Sequence, residues 1–171
     1  MATEAWLSGP VEGVDPFLMP VAHSLAQVRQ DAERLLPDLE QMDLWQHPGA
    51  AASPGFHLMH LAGSLDRLFT YARGETLSDA QKTALASEKP KPAGGGADSD
   101  TARQLVQQLS AQIDRCLDQL RRTPRASLTD PREVGRAKLP SSVLGLLFHA
   151  AEHATRHAGQ LSTTIKALKE E

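Results

Sequence analysis

The sequence predicts an all-α fold, a four-helix bundle, on three observations. Four stretches carry apolar residues at spacings of three and four, and no stretch shows the sustained period-two alternation that is typical of strands. The 171 residues are about the size of one domain, and a hydrophobic content of 40% is enough for a buried core. We therefore expect a single domain over residues 1–171, built from amphipathic helices that pack on one another.

The first helix is expected to begin with Asp15 as its N-cap and Pro16 at the first helical position, where the missing N–H of proline costs little. Pro37 is expected to end this helix. One face repeats apolar residues along its length: Leu18, Val21, Leu25, Val28, Ala32 and Leu35. This face is the predicted contribution of the first helix to the core.

The second helix is expected over about residues 53–73, with Gly74 as its C-terminal stop. Its apolar face comprises Leu58, Leu61, Leu65, Leu68 and Ala72. Further along the chain, Ser78 and Gln81 have the spacing of a capping box. This spacing predicts a short extra helix in the connection between the second and third helices.

The third helix follows a segment rich in Pro and Gly, roughly residues 90–98, which is expected to be a flexible loop. The helix is expected to begin near residues 99–101, where Thr101 and Gln104 have capping-box spacing, and to end before Pro124. Its apolar face comprises Leu105, Leu109, Ile113, Cys116 and Leu120. The single cysteine is therefore expected to be a small buried hydrophobe.

The last helix is expected after a polar connection, LTDPREVGRAK. Pro140, followed by Ser141 and Ser142, is expected to open the helix, which then continues to about Lys169. The chain is therefore expected to hold four long helices and one short one.

Charge and hydropathy exclude two classes of partner. The 18 Lys and Arg residues and the 21 Asp and Glu residues are interspersed and give a formal charge of -3, which argues against nucleic acid. No apolar run approaches the roughly 20 residues that cross a bilayer, and the first residues lack the pattern of a signal peptide. A cytoplasmic protein is expected, and one cysteine fits a reducing compartment.

The last helix carries three histidines, His149, His153 and His157, each one turn from the next. Two imidazoles one turn apart on a rigid helix can bind the same metal ion. The apolar residues of this helix mark the direction of the core, and His157 lies nearest to it, His153 next and His149 furthest away. The spacing by itself fits a solvated or hydrogen-bonded pair of histidines as well as it fits a metal site. For a metal site, the directions on the helix favour His153 and His157 as the ligand pair, with His149 as a flanking histidine.

The second helix offers two candidates for a third ligand, His57 and His60. His57 lies nearer the centre of the apolar stripe, so helix geometry favours it. A histidine on an apolar face is, however, more often a hydrogen-bonded core residue than a ligand. The periodicity alone leaves the choice open.

Two segments, HLMHLAGSLDRLFTYARG and LPSSVLGLLFHAAEHATRHAGQL, resemble the DinB/YfiT-like family of small bacterial metalloenzymes. The matching residues are His60, Leu61 and Ala62 in the first segment and His153, His157, Gly159 and Gln160 in the second. The resemblance implies a four-helix bundle, often a homodimer, with one histidine of the second helix and two of the last around a metal ion. Carried over to this sequence, the ligands are His60, His153 and His157. The additional histidines His57 and His149 leave a shifted ligand choice or a four-nitrogen site open.

Three imidazoles leave at least one coordination position for water or substrate, as in a catalytic zinc site, and imidazole suits zinc and nickel equally. The resemblance implies a metal-dependent enzyme, with a thiol-dependent S-transferase acting on a low-molecular-weight thiol as the first hypothesis. A metal-dependent hydrolase is the alternative, but the sequence lacks an evident general base, because Glu152 points away from the core and Gln160 is no base. The third hypothesis is a non-catalytic metal-binding or stress-response protein.

Overall fold

The computed structural model describes residues 3–170 and confirms the predicted helical fold. Its helices are α1 Met19–Leu39, α2 Pro54–Ala72, α3 Asp79–Ser87, α4 Ser99–Arg122 and α5 Val143–Glu170. The four long helices form the bundle, and the short α3 lies in the connection between α2 and α4, as expected. None of the described helices is both long and apolar enough to cross a membrane.

The core of the bundle is formed by the apolar faces of the four long helices. α1 and α2 each pack principally against α4 and α5, so α1 and α2 occupy opposite corners of the bundle. Most of the predicted apolar positions are buried: Leu18, Val21, Leu25, Val28, Ala32, Leu58, Leu61, Leu65, Ala72, Leu105, Leu109, Ile113, Cys116 and Leu120. Leu35 and Leu68 are only half-buried, at the edge of the core. The adjacency of α2 and α5 is what brings their histidines together.

The first helix differs from the prediction at both ends. Asp15 caps a short 3-10 turn, Pro16–Leu18, by accepting a hydrogen bond from the Phe17 N–H at 2.9 Å, and α1 begins only at Met19. Pro37 does not end the helix, which continues to Leu39. The proline ring removes one backbone hydrogen bond, but Leu39 is fully buried and anchors the last turn to the core.

The predicted boundaries of α2 and α3 are confirmed. Ser53 accepts a hydrogen bond from the Phe56 N–H at 3.3 Å, and Gly74 takes a φ of +80° directly after the end of α2. Ser78 and Gln81 make both hydrogen bonds of the capping box, at 2.9 and 3.2 Å. Ser53 and Gly74 thus mark the two ends of the helix that carries His57 and His60.

The capping box predicted at the start of α4 is wrong, although the helix begins within the expected range. Its N-cap is Asp98, whose carboxylate accepts a hydrogen bond from the Thr101 N–H at 2.9 Å. Thr101 donates its hydroxyl to the same carboxylate at 2.6 Å. Because Asp98 stands three residues before Thr101 and its carboxylate accepts both bonds, Thr101 lies inside the helix rather than at its cap.

The connection between α4 and α5 contains a β-hairpin that the sequence prediction missed. β1 Pro131–Val134 pairs antiparallel with β2 Leu139–Ser142, and Gly135 closes the turn with a φ of +68°. Each strand has four residues, too few for period-two alternation to stand out. Pro140 and Ser141 are therefore part of a strand and do not open the last helix.

The last helix, α5, begins at Val143, directly after β2. The hydroxyl of Ser142 accepts a hydrogen bond from the Gly145 N–H at 3.0 Å, which is the bond of an N-cap residue. The backbone N–H of Val143 donates to Asp130 O at 3.1 Å, and that of Leu144 donates to Leu128 O at 2.9 Å. The hairpin connection thus takes up free N–H groups at the start of the helix that carries His153 and His157.

The segment rich in Pro and Gly between α3 and α4 has no helix or strand, and it lies against the connection between α1 and α2. The Gly94 N–H donates to the carboxylate of Asp43 at 2.6 Å, and the ammonium of Lys91 lies 4.1 Å from the centre of the Trp45 ring. These contacts tie the segment to the end of the bundle at which α2 begins.

The Trp45 ring packs on the first turn of α2, and a side chain at Gly55 would collide with it. A Cβ built on Gly55 would lie 2.5 to 2.9 Å from three atoms of that ring. We predict that Gly55→Ala lowers the free energy of unfolding by about 1–3 kcal/mol through overpacking, measured by chemical denaturation. Gly159→Ala is the matched control within α5: no atom lies within 4 Å of its Cβ position, and the higher helix propensity of alanine should raise stability by up to about 1 kcal/mol. Equal effects of the two variants would contradict this packing.

The thiol of Cys116 is buried between α2 and α4, and only 1% of the residue is exposed. Burial raises the pKa of this thiol from 9.0 to about 12. At pH 8 the native protein should therefore react with a disulfide reagent at least about tenfold more slowly than the unfolded chain, because thiolate is the reacting form. Stopped-flow thiol titration with and without denaturant measures this ratio, and similar rates would contradict the burial.

Candidate metal centre

The packing of α2 against α5 brings three histidines together: His60 from α2 and His153 and His157 from α5. Each offers one ring nitrogen such that these three atoms all lie within 4.8 Å of one another. All three residues are half-buried and therefore lie between the core and solvent. These are the three histidines that the sequence motifs singled out.

The ring nitrogens of the cluster already converge. Nε2 of His60 lies 3.0 Å from Nε2 of His153. Two imidazole nitrogens bound at about 2.1 Å to one tetrahedral ion are about 3.4 Å apart, so this separation is within a few tenths of an ångström of ligand spacing. Nδ1 of His157 lies 3.1 Å from Nδ1 of His57. The donor set therefore fits a divalent transition metal.

His57 and His149 lie beside the cluster but outside it. His57 is only 4% exposed and contacts His157 from the core side. The side chain of His149 is 54% exposed, and its Nδ1 lies 3.6 Å from the carboxylate of Glu152. The structure therefore groups His60, and not His57, with His153 and His157.

Three of these histidines, His57, His153 and His157, are held in the neutral form at neutral pH. Burial, with the neighbouring His157 and His60 adding to it, lowers the pKa of His153 to about 4. Burial also lowers the pKa of His57 to about 4 and, to a smaller extent, the pKa of His157. A neutral imidazole keeps a lone pair, which is what a metal ion requires of a ligand.

A carboxylate that sequence reasoning missed, Glu88, lies against His60 from the end of α3. Its Oε2 is 2.8 Å from Nδ1 of His60 and 3.1 Å from Nη2 of Arg67, and its Oε1 accepts from Nη1 of Arg67. Burial by itself raises the pKa of Glu88, but the hydrogen bonds from His60 and Arg67 and the charge of Arg67 outweigh it, and the pKa is lowered overall. Glu88 is thus an ionised carboxylate whose side chain is 8% exposed.

The sequence signal that points to Glu88 is indirect. Glu88 lies outside the helices of the bundle, in the connection after α3, where no periodicity applies. Arg67 is the available clue, because it follows His60 by two turns and so lies on the same side of α2. In the structure Arg67 is only 9% exposed. A buried guanidinium needs an acidic partner, and that partner had to come from another element.

The surroundings of the cluster orient His60 further. The Phe56 ring stacks on the His60 ring with an interplanar angle of 7° and a centroid distance of 5.4 Å. Glu152 is a surface carboxylate, as predicted, and is paired with Arg156 at 2.8 Å. Gln160 is exposed on α5. The two carboxylates placed beside these histidines, Glu88 and Glu152, are therefore both engaged in ion pairs.

Comparison with known proteins agrees with this architecture. No protein of curated function matches the chain. The crystal structure of a conserved protein from Enterococcus faecalis is similar in fold, with a TM-score of 0.66 and 17% sequence identity, and the match covers 90% of this chain and 98% of that one. The sequence pattern of the DinB superfamily matches residues 24–161, which include all three histidines of the cluster. The chain therefore belongs to the DinB superfamily.

Proposed function

We propose that His60, His153 and His157 hold one divalent transition-metal ion, zinc or nickel, and that this site activates a low-molecular-weight thiol for transfer to an electrophile. The observation that carries the proposal is the convergence of the three imidazoles from two packed helices at half-buried positions. Two of the ligand nitrogens are 3.0 Å apart, close to the separation of two nitrogens bound to one ion. Binding therefore needs little rearrangement of the chain.

The donor set supports a catalytic rather than a purely structural role. Three protein ligands leave one position of a tetrahedral site open, whereas structural zinc sites are closed by four. When bound, the ion supplies Lewis acidity, which favours the deprotonated form of a thiol or water in that open position. The side chain of His60 is 21% exposed, so a small molecule can approach the cluster from solvent.

The engagement of the neighbouring carboxylates favours thiol transfer over hydrolysis. A hydrolytic site benefits from a general base within hydrogen-bond reach of the attacking water. Glu88 is buried and bound to His60 and Arg67, and Glu152 is paired with Arg156 on the surface. A thiol needs no such base, because its lower pKa allows the proton to leave to solvent.

The proposed reaction is a substitution at carbon. The sulfur of the thiol forms a bond to the electrophilic carbon, the leaving group departs with its electron pair, and the proton of the thiol goes to solvent. The three histidines bind the metal ion and so set the position at which the thiol is held. The stacked Phe56 holds the His60 ring in place. Cys116 takes no part, because it is buried in the core.

The ligand assignment predicts a defined pattern of metal content. Purified wild-type protein should hold close to one equivalent of zinc or nickel, whereas His60→Ala and His153→Ala should hold almost none, because two imidazoles bind far more weakly than three. Elemental analysis after dialysis against a metal-buffered solution measures this.

The matched control is His149→Ala, which removes an exposed histidine one turn from His153 and should leave the metal content unchanged. His57→Ala should retain metal with an affinity about 10–100-fold lower, because His57 contacts His157 without belonging to the cluster. Loss of metal in His57→Ala with retention in His60→Ala would overturn the assignment.

The thiol hypothesis predicts a spectroscopic response to substrate. With cobalt(II) in place of the native ion, addition of 2-mercaptoethanol should produce a near-ultraviolet sulfur-to-cobalt charge-transfer band, because a thiolate enters the open position. Ethylene glycol, the oxygen analogue, is the control and should produce no such band. Cys116 is buried and should not contribute a band of its own. A cobalt protein that shows no band with saturating thiol would contradict the transferase proposal and leave hydrolysis or simple metal storage.

A further inference from the structure

The geometry points to Glu88 as the positioning residue of the metal centre. Glu88 fixes the orientation and the tautomer of His60 from a position outside the bundle. This inference rests on the proposed metal site, and it adds a residue that lies at the end of α3 rather than on the helices that carry the ligands. Glu88 acts through His60 and is not itself a member of the three-histidine cluster.

The hydrogen bond between Glu88 and His60 selects one tautomer. Oε2 of Glu88 lies 2.8 Å from Nδ1 of His60, and a carboxylate can only accept, so the proton of the neutral ring is on Nδ1. The lone pair of the ring is then on Nε2. Nε2 is the nitrogen that faces Nε2 of His153 at 3.0 Å. The carboxylate therefore directs the free lone pair of His60 into the cluster.

Arg67 holds the carboxylate in this position. The two terminal guanidinium nitrogens, Nη1 and Nη2, donate to Glu88, one to each carboxylate oxygen, in a bidentate pair. The side chains of Arg67 and Glu88 are only 10% and 8% exposed. Arg67 lies on α2, as His60 does, so Glu88 is clamped to the same helix that presents the ligand.

The absence of a side chain at Gly63 makes room for this clamp. A Cβ built on Gly63 would overlap Oε1 of Glu88 and Nη1 of Arg67. Gly63 follows His60 by three residues, so it lies on the same side of α2. Gly63→Ala therefore displaces the carboxylate without altering Glu88 itself, which gives a second and independent perturbation.

The first test measures zinc affinity by competition with a chromophoric chelator. Glu88→Ala should bind zinc about 10–100-fold more weakly than wild type, the usual effect of removing the hydrogen-bond partner of a metal-bound histidine. Glu75→Ala is the matched control, because Glu75 is also paired with an arginine, Arg73, and has no histidine partner in the described part of the chain. This control should bind zinc as wild type does.

The second test reads the tautomer of His60 directly. Long-range ¹H–¹⁵N NMR spectra of the metal-free protein should show the His60 proton on Nδ1 in wild type and in Glu75→Ala, and a mixture of tautomers in Glu88→Ala. A role of Glu88 in folding alone would leave the tautomer unchanged. Circular dichroism of each variant confirms that the helices are intact.

A double-variant cycle links the two perturbations. Introduced alone, Gly63→Ala should weaken zinc binding. Introduced into the Glu88→Ala variant, it should not lower the zinc affinity further, because there is then no carboxylate to displace. Wild-type zinc affinity in Glu88→Ala, with the proton of His60 still on Nδ1, would overturn the positioning role and leave the three-histidine site standing. Failure of wild type itself to bind zinc would instead overturn the proposed function.

Discussion

The packing of α2 against α5 is the contact on which the site depends. Leu58, Leu61 and Leu65 on α2 and Leu147 and Ala154 on α5 are almost completely buried. Each buried leucine contributes about 1.5–3 kcal/mol, so the relative position of the two helices is set by the core. The histidines at the edge of this contact converge as a consequence, and a metal ion would meet a cluster that the core has already ordered.

Polar groups next to an apolar core need partners, and the site supplies them in pairs. His60 is bonded to Glu88, His157 to His57, and Arg67 to Glu88. Each pair compensates for burial that would otherwise destabilise the fold. The same pairs orient the ring nitrogens, so the interactions that make the buried polar groups acceptable also prepare the site for a ligand.

The sequence predicts this arrangement where a local rule applies. Helical spacing predicts the four long helices and the pairing of His153 with His157, because both depend only on residues one turn apart. The choice between His57 and His60 depends on how α2 is rotated against α5, which the periodicity of one helix does not contain. Glu88 and the hairpin were missed for a related reason: both lie in connections, where tertiary contacts rather than a repeating pattern decide the structure.

The central claim is that His60, His153 and His157 hold one metal ion. Anomalous diffraction from crystals of the protein grown with zinc tests it most directly. We predict a single strong anomalous peak at about 2.1 Å from one ring nitrogen of each of these histidines, with Glu88 still bonded to Nδ1 of His60. A peak coordinated by His57 in place of His60, or no peak at the cluster in zinc-saturated crystals, would contradict it.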